Sequence, residues 1–297
     1  MGFLRIALAF IVMLAHLNIL PGELGPIAVC CFFVISGFYM QLLLTDKSLK
    51  TSDFYQSRAL RIYPAYWLFV ALDIWLAKGF SLTPLTAIST AFIFGRDIFS
   101  LAGVALPVVP AWSLATELCF YVLAPFILRW STKRLIALGA PSLLCNILVM
   151  AFIAKGINGW AVAVFPSDLC FFLAGSLAYR IKAQTNHITG LILFVLALAS
   201  LHGIVLYYAL PAITTVWLSS LFRASRYSSS DRFIGNLSYP VYLSHTVIAP
   251  YLLLHGINSI VLATGAIAVV SILVYRFLEL PIDNFRHKKF STAKEKE

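Results

Sequence analysis

The chain has 297 residues, of which 61% are hydrophobic and only 11% are charged, and its formal net charge is +10. A water-soluble domain is closer to half apolar and a quarter charged, so this composition excludes a soluble globular enzyme. Apolar runs long enough to cross a bilayer recur along the whole length, which predicts an all-α polytopic membrane protein.

In chain order, the apolar segments predict about ten transmembrane helices. The first segment could be mistaken for a secretory signal, but residues 18–23 offer no small-x-small cleavage site, so we interpret it as a retained span. The predicted spans are 3–20, 24–44, 63–77, 111–128, 134–154, 166–179, 188–207, 209–222, 234–254 and 258–277.

The basic residues set the predicted orientation. With the amino terminus inside, nineteen basic residues fall on inner loops and ends, whereas the outer side keeps only Lys78, Arg96 and Lys155. Such an asymmetry orients spans during insertion, so we expect both termini in the cytoplasm and a multi-pass protein of the inner (plasma) membrane. Most of the net charge then reflects topology rather than ligand binding.

Residues 79–110 do not fit the pattern of spans. Their apolar run, Thr83–Gly95, is too short to cross a bilayer comfortably, and Pro107 and Pro110 follow it. We interpret the segment as an outer-face or re-entrant hairpin, with two extra short spans as the alternative.

The chain as a whole predicts one integral membrane domain over 1–285, followed by a charged cytoplasmic tail over 286–297.

The five cysteines all lie inside predicted spans, at spacings that match no metal site. We therefore interpret them as small apolar packing residues and expect no metal cofactor. The sequence also contains no glycine-rich nucleotide-binding loop and no zinc motif, and we expect no nucleic-acid partner. The cysteines are Cys30, Cys31, Cys119, Cys145 and Cys170.

Two ionisable residues bound the first span, and charged or titratable groups in spans usually face a bundle interior or a wet cavity. Arg5 and His16 are eleven residues apart, which returns them to within about 20° of one helix face and separates them by about 16 Å along the axis. Arg5 alone could be a snorkelling cation that orients the helix. His16, placed near the outer surface, is either a structural imidazole or a functional one.

Glu117 lies about 9 Å below the outer surface on the span that begins near Ala111. An isolated carboxylate at this depth would be protonated or would need a partner. His16 is predicted at a similar depth, so Glu117 is a candidate partner for it. The alternative is a protonated side chain that bridges two helices.

Three further segments carry polar groups. Arg58 and Arg61 lie three residues apart on one helix face, where they could serve topology or clamp a phosphate group. His245 lies near the middle of a late span, with the hydroxyls of Tyr239 and Tyr242 on the same segment. Gly37, in the second span, predicts close helix packing.

Together these segments resemble the membrane acyltransferase 3 family over nearly the whole chain. Each motif is weak alone, but six occur in the family's order. The matching residues are Arg5 and His16; Phe32, Phe33, Ser36, Gly37 and Phe38; Arg58, Arg61, Ile62 and Pro64; Trp112, Ser113, Leu114, Glu117, Phe120 and Tyr121; Ser238, Tyr239, Tyr242, Leu243 and His245; and Tyr275, Arg276, Glu279 and Pro281.

The resemblance implies transfer of an acyl group, usually acetyl from acetyl-CoA, to a hydroxyl of a carbohydrate at the outer face. Within this scheme we expect His16 to be the catalytic base or, as an alternative, the nucleophile, with Glu117 orienting its imidazole. The expected coenzyme A contacts are Arg5, Arg58 and Arg61. The expected oxyanion or acceptor contacts are Ser113, Tyr239, Tyr242 and His245.

A transporter or glycan flippase is the alternative class, with His16, Glu117 and His245 as a proton relay. The sequence disfavours it, because we find no paired interrupted helices in matching halves of the chain.

Overall fold

The computed structural model describes residues 1–45, 49–77, 80–152, 165–181, 186–200, 203–225 and 228–290. Within these ranges the secondary structure is helical, without a β-strand. The helices are α1 (Gly2–His16), α2 (Leu24–Thr45), α3 (Thr51–Ala77), α4 (Pro84–Phe92), α5 (Arg96–Leu101), α6 (Ala111–Ile127), α7 (Thr132–Phe152), α8 (Phe165–Ile181), α9 (His187–Ser200), α10 (Gly203–Ser225), α11 (Ser229–Leu254), α12 (Ile260–Val274), a π-helical turn (Tyr275–Glu279) and α13 (Leu280–Phe290).

Four helices are long and apolar enough to cross a bilayer: α2, α3, most of α7, and the continuous helix from α12 to α13. The shorter helices α1 and α6 are also apolar. These helices confirm the predicted all-α, multi-pass class. The number of ten spans and the cytoplasmic termini stay predictions.

Polar ends lengthen several helices beyond the predicted spans, because a hydropathy pattern detects only the apolar part of a helix. α3 begins at Thr51 rather than at residue 63, so Arg58 and Arg61 are helical. The last helix continues to Phe290, past Arg286 where the charged tail was predicted to start. Residues 291–297 of that tail lie outside the described residues.

The segment 80–110 forms α4 and α5, which have nine and six residues and are each too short to span a bilayer. The buried Arg96 guanidinium ties the end of this segment to α3. It donates hydrogen bonds to the Tyr66 hydroxyl, at 3.0 Å, and to the Val108 carbonyl, at 3.2 Å. The Val108 N–H donates to the Asp73 carboxylate at 2.7 Å. These contacts favour a hairpin that returns to α3 over two additional spans.

Helices α2 and α8 run parallel and cross at two glycines, which confirms the packing role predicted for Gly37. A Cβ atom on Gly37 would lie 1.8 Å from the Phe172 carbonyl oxygen, and one on Gly175 would lie 1.8 Å from the Val34 carbonyl oxygen. Because backbone atoms make these contacts, no side-chain rearrangement can create the missing space. The close approach holds α2 in place beside the site described below.

We expect Gly37→Ala to lower the free energy of unfolding by about 2 kcal/mol or more, since the added methyl group overpacks the α2–α8 crossing. Thermal unfolding of the detergent-solubilised protein measures the change. Gly265→Ala is the matched control, because nothing lies within 4 Å of a Cβ atom at that helical position. Equal melting temperatures for the two variants would contradict the close packing of α2 and α8.

Candidate active site

Helices α1 and α11 run parallel and meet at two glycines near their first turns. A Cβ atom on Gly235 would lie 2.5 Å from the Gly2 Cα atom. This contact leaves no room for a side chain between the helices at that end. At the other end of the pair, the same crossing brings His16 beside His245.

Asp231 fixes the start of α1. Its carboxylate accepts hydrogen bonds from the backbone N–H groups of Gly2, at 2.8 Å, and Phe3, at 3.0 Å. It therefore satisfies first-turn N–H groups that have no partner within the helix. Burial by itself raises the pKa of Asp231, but these hydrogen bonds, together with the hydrogen bond and positive charge of the Met1 ammonium group at 2.9 Å, hold the pKa below its usual value. The negative carboxylate also interacts favourably with the positive end of the α1 helix dipole.

The His16 and His245 imidazoles form a direct hydrogen bond, with 2.9 Å between Nδ1 of His16 and Nε2 of His245. Each Nδ1 atom also faces the carbonyl four residues earlier on its own helix: Val12 at 3.1 Å and Val241 at 3.2 Å. His245 is buried, with 1% of its surface exposed, whereas His16 is partly exposed at the last residue of α1.

Glu117 was predicted to orient His16, but the imidazole 2.9 Å from His16 is that of His245. The Glu117 carboxylate accepts hydrogen bonds from the Ser36 hydroxyl, at 2.6 Å, and from the Tyr121 hydroxyl. The depth estimate placed His16 and Glu117 at one level but carried no information about the direction in which α6 presents the carboxylate. Ser36, inside the predicted Ser-Gly motif of α2, therefore holds Glu117.

A cavity of about 1110 Å³ lies between α1, α2, α3, α6, α11 and α13. Arg5 and Arg58 line it, together with the Ser113 and Tyr242 hydroxyls, which are 2.7 Å apart. The histidine pair lies next to this lining, since the Tyr242 ring centroid is 6.1 Å from that of His245. The cavity thus joins cationic side chains to a hydroxyl pair adjacent to the imidazoles.

Cations outnumber carboxylates in the cavity lining. Six arginine and lysine side chains line it against three carboxylates. An anionic ligand would relieve the mutual repulsion of these cations. The six cations are Arg5, Arg58, Arg61, Arg232, Arg286 and Lys288, and the carboxylates belong to Glu117, Asp231 and Asp283.

The three arginines predicted to bind the donor differ in their partners. Arg61 forms an ion pair with Glu279, with 3.2 Å between Nη1 and Oε2, and its Nη1 atom lies 3.8 Å from Asp283. Across the described residues, neither Arg5 nor Arg58 has a carboxylate within ion-pair distance. The Arg58 Nε atom is buried without a hydrogen-bond partner. Arg5 and Arg58 are therefore available to a ligand, whereas protein carboxylates engage Arg61.

Glu279 is the last residue of the π-helical turn. Pro281, two residues later, has no N–H group to continue the α-helical hydrogen bonding, which accounts for the irregular turn at this position. The turn presents Glu279 to Arg61 on α3. The closing motif of the sequence thus forms a contact between two helices and lies outside the cavity lining.

The predicted hydroxyl residues fall into two groups. Ser113 and Tyr242 bond to each other in the cavity. Tyr239 also lines the cavity, but its hydroxyl donates to the Ile62 carbonyl at 2.8 Å. The Ser113 hydroxyl donates to the Pro110 carbonyl at 2.9 Å, and the Tyr242 hydroxyl lies 3.3 Å from the same carbonyl, so all three hydroxyls have protein partners in this structure.

Sequence reasoning missed Asp231, Arg232 and Arg286 as residues of the site. Asp231 and Arg232 precede the apolar part of α11, and Arg286 lies in the segment that was predicted as a tail. The available signal was the charge itself next to the apolar part of a helix, but charge near the end of a span is more often topological.

Comparison with known proteins defines the class. The structure is helical and has a cationic cavity next to the His16–His245 pair. Residues 1–276 match the acyltransferase 3 family, described as "Acyltransferase domain", and the chain belongs to this family.

Two relatives are similar to parts of the chain. An uncharacterized Haemophilus influenzae protein is 31% identical over 120 residues, covering 35% of this chain and 49% of that protein. A Bacillus subtilis protein named provisionally as the peptidoglycan O-acetyltransferase YrhL is 29% identical over 160 residues, covering 46% of this chain and 25% of that protein. The matched regions thus span about half of the first relative and a quarter of the second. No solved structure matches the chain.

Proposed function

We propose that this acyltransferase moves an acyl group, most simply acetyl, from acyl-CoA to a hydroxyl of a carbohydrate on the opposite face of the membrane. The observation that carries the proposal is the cavity that joins Arg5 and Arg58 to the Ser113–Tyr242 hydroxyl pair beside His245. In this proposal ten helices span the plasma membrane and both termini are cytoplasmic. The Arg5 end of the cavity then faces the compartment that contains coenzyme A.

The charge of the cavity supports a coenzyme A donor. Coenzyme A carries a diphosphate and a ribose phosphate, and guanidinium groups bind phosphate oxygens in a bidentate manner. Arg5 and Arg58 would take these phosphates, with Arg232, which also lines the cavity, as a further contact. The distance of about 16 Å between the levels of Arg5 and His16 on α1 suits the extended arm that carries the thioester.

His16 would act as the general base for the acceptor hydroxyl. As its Nε2 atom takes the hydroxyl proton, the acceptor oxygen attacks the thioester carbonyl, and the carbon–sulfur bond breaks in the second half of the reaction. The imidazolium returns its proton to the departing thiolate. A route through an acyl-histidine uses the same residue as nucleophile.

The carbonyl oxygen becomes negatively charged when the acceptor attacks it. The Ser113 and Tyr242 hydroxyls, 2.7 Å apart in the cavity, would donate hydrogen bonds to this oxygen after rotating away from each other and from the Pro110 carbonyl, which they contact at 2.9 and 3.3 Å. Glu117, held by the Ser36 and Tyr121 hydroxyls, would link α6 to α2 beside the path of the donor.

The name of the Bacillus subtilis relative supports a carbohydrate acceptor, since peptidoglycan is a glycan whose sugar hydroxyls can be O-acetylated. A cell-surface polysaccharide, a lipid-linked glycan or an oligosaccharide would present such a hydroxyl at the outer face.

Incubation of membranes with radiolabelled acetyl-CoA tests the proposal. We expect label to enter the glycan fraction in membranes that contain the protein and to be absent in membranes from a deletion strain. Mass spectrometry of surface and secreted glycans from the two strains would then identify the acceptor as the species that differs by one acetyl group. Movement of a solute or glycan across the membrane without label transfer would instead favour a transporter.

A further inference from the structure

We propose that His245 is a positioning residue that fixes the tautomer of His16 and shares the positive charge that His16 acquires. The inference rests on the proposed function, in which His16 is the base, and it gives His245 a role other than the acceptor contact predicted from the sequence. It is carried by the hydrogen-bond geometry of the two imidazoles and the two backbone carbonyls beside them.

The carbonyls determine where the hydrogens are. Nδ1 of His245 lies 3.2 Å from the Val241 oxygen, and a carbonyl can only accept, so this Nδ1 atom carries the hydrogen. In a neutral imidazole the other nitrogen then has the lone pair. Nε2 of His245 is therefore an acceptor, and it lies 2.9 Å from Nδ1 of His16.

The same accounting applies to His16. Its Nδ1 atom faces two acceptors, the Val12 oxygen at 3.1 Å and Nε2 of His245 at 2.9 Å. With a hydrogen on Nδ1 of His16, this N–H group donates to both acceptors in a bifurcated hydrogen bond. In the opposite tautomer three lone pairs would face one another in a partly buried site, which is strongly unfavourable. The pair thus places the hydrogen of His16 on Nδ1 and its basic lone pair on Nε2.

A second imidazole differs physically from the carboxylate that usually orients a catalytic histidine. The resting pair is neutral, so burying His245 does not require burial of an unpaired charge. When Nε2 of His16 takes a proton, the bond from its Nδ1 atom to His245 becomes charge-assisted and stronger. The proton on Nδ1 can also move to Nε2 of His245, which spreads the charge over two rings.

Nitrogen-15 spectroscopy of histidine-labelled protein in lipid nanodiscs tests the tautomer without any requirement for activity. We expect wild-type His16 to show a protonated Nδ1 and an unprotonated Nε2 at neutral pH. In His245→Leu the Val12 carbonyl remains as an acceptor at Nδ1 of His16 but the second imidazole is lost, so we expect a weaker preference and a larger share of the opposite His16 tautomer. His255→Leu is the matched control: His255 is exposed at the end of the same helix, and its ring packs on Tyr251. A wild-type His16 with its hydrogen on Nε2 would overturn the inference.

Kinetics test the consequence for catalysis. We expect His245→Leu to lower kcat about 100-fold, within the range for a general base that loses its orientation, with the KM for acetyl-CoA changed less than about twofold. His245→Gln should restore kcat to within about 10-fold of wild type, since its amide oxygen can accept from Nδ1 at a reach similar to Nε2. His245→Asn is polar but one methylene shorter, so it should not restore the rate.

The outcomes separate this inference from the proposed function. If the wild-type protein transfers no acyl group but the His16 tautomer depends on His245, the proposed function fails and the pairing holds. If transfer depends on His16 while His245→Leu and His245→Asn keep wild-type rates, the positioning role fails and the function holds. If His245→Leu does not fold, the difference between the Gln and Asn variants decides, and equal rates for those two would count against the role.

Discussion

Replacing His16 with alanine is expected to lower the rate of acyl transfer by about 100-fold to 10,000-fold, which is the usual contribution of a general base. The loss should appear in kcat. Arg5 and Arg58, which we assign to the donor phosphates, lie near the opposite end of α1, so the KM for acetyl-CoA should change little. The fold should also survive, since His16 is the last residue of α1 and is partly exposed.

Single-turnover transfer from radiolabelled acetyl-CoA to glycan measures this effect, with protein abundance in the membrane determined in parallel. His255→Ala removes an exposed histidine from the end of α11 and is expected to keep the wild-type rate. Activity of His16→Ala within a few-fold of wild type, at normal abundance, would refute the assignment of His16. An acyl group trapped on His16 in the wild-type protein would select the nucleophilic route over the general-base route.

The sequence identified the polar residues of α1 well, because helical periodicity is a property of one helix. The spacing of Arg5 and His16 predicted a common face and an axial separation, and α1 extends from Gly2 to His16 as that reasoning required. The family motifs also pointed to Ser113 and Tyr242, which meet in the cavity. Within-helix spacing and the family motifs together therefore predicted part of the cavity lining, including Arg5, Arg58 and Glu117.

Contacts between helices were harder to predict, because depth in the membrane does not specify which way a side chain points. His16 and Glu117 were paired on depth alone, whereas the close Gly2–Gly235 crossing of α1 and α11 sets His245 beside His16. A Gly in an apolar helix has many possible partners in a single sequence. The identity of the neighbouring imidazole could therefore emerge only from the packed structure.

The ion-pair partners of the two arginines on α3 were also impossible to predict from the sequence. Arg58 and Arg61 are equivalent by spacing, so both were predicted to bind phosphate. The structure distinguishes them because the last helix runs antiparallel to α3 and brings Glu279 and Asp283 to Arg61. This difference in partners predicts opposite phenotypes for two adjacent, chemically identical substitutions.

Arg61→Ala is expected to lower the free energy of unfolding by about 3 kcal/mol, because it leaves the buried Glu279 carboxylate without its cation. The side chains of Arg61 and Glu279 are only 16% and 6% exposed, so water cannot replace the lost partner fully. Arg58→Ala should leave stability within about 0.5 kcal/mol of wild type and raise the KM for acetyl-CoA about 10-fold or more, as expected for loss of a charged hydrogen bond to a ligand.

Thermal unfolding in detergent and initial rates over a range of acetyl-CoA concentrations distinguish these results. The double variant Arg61→Ala/Glu279→Gln is the internal control. Because it also removes the unpaired charge of Glu279, it should recover much of the stability that Arg61→Ala loses. A role of Arg61 in donor binding alone would not explain such a recovery. A stable Arg61→Ala protein with a raised KM for acetyl-CoA would indicate that Arg61 does bind the donor. An unchanged KM in Arg58→Ala would show that Arg58 does not bind the donor. Of the three predicted arginines, Arg5 would then be the remaining one that has no carboxylate partner among the described residues.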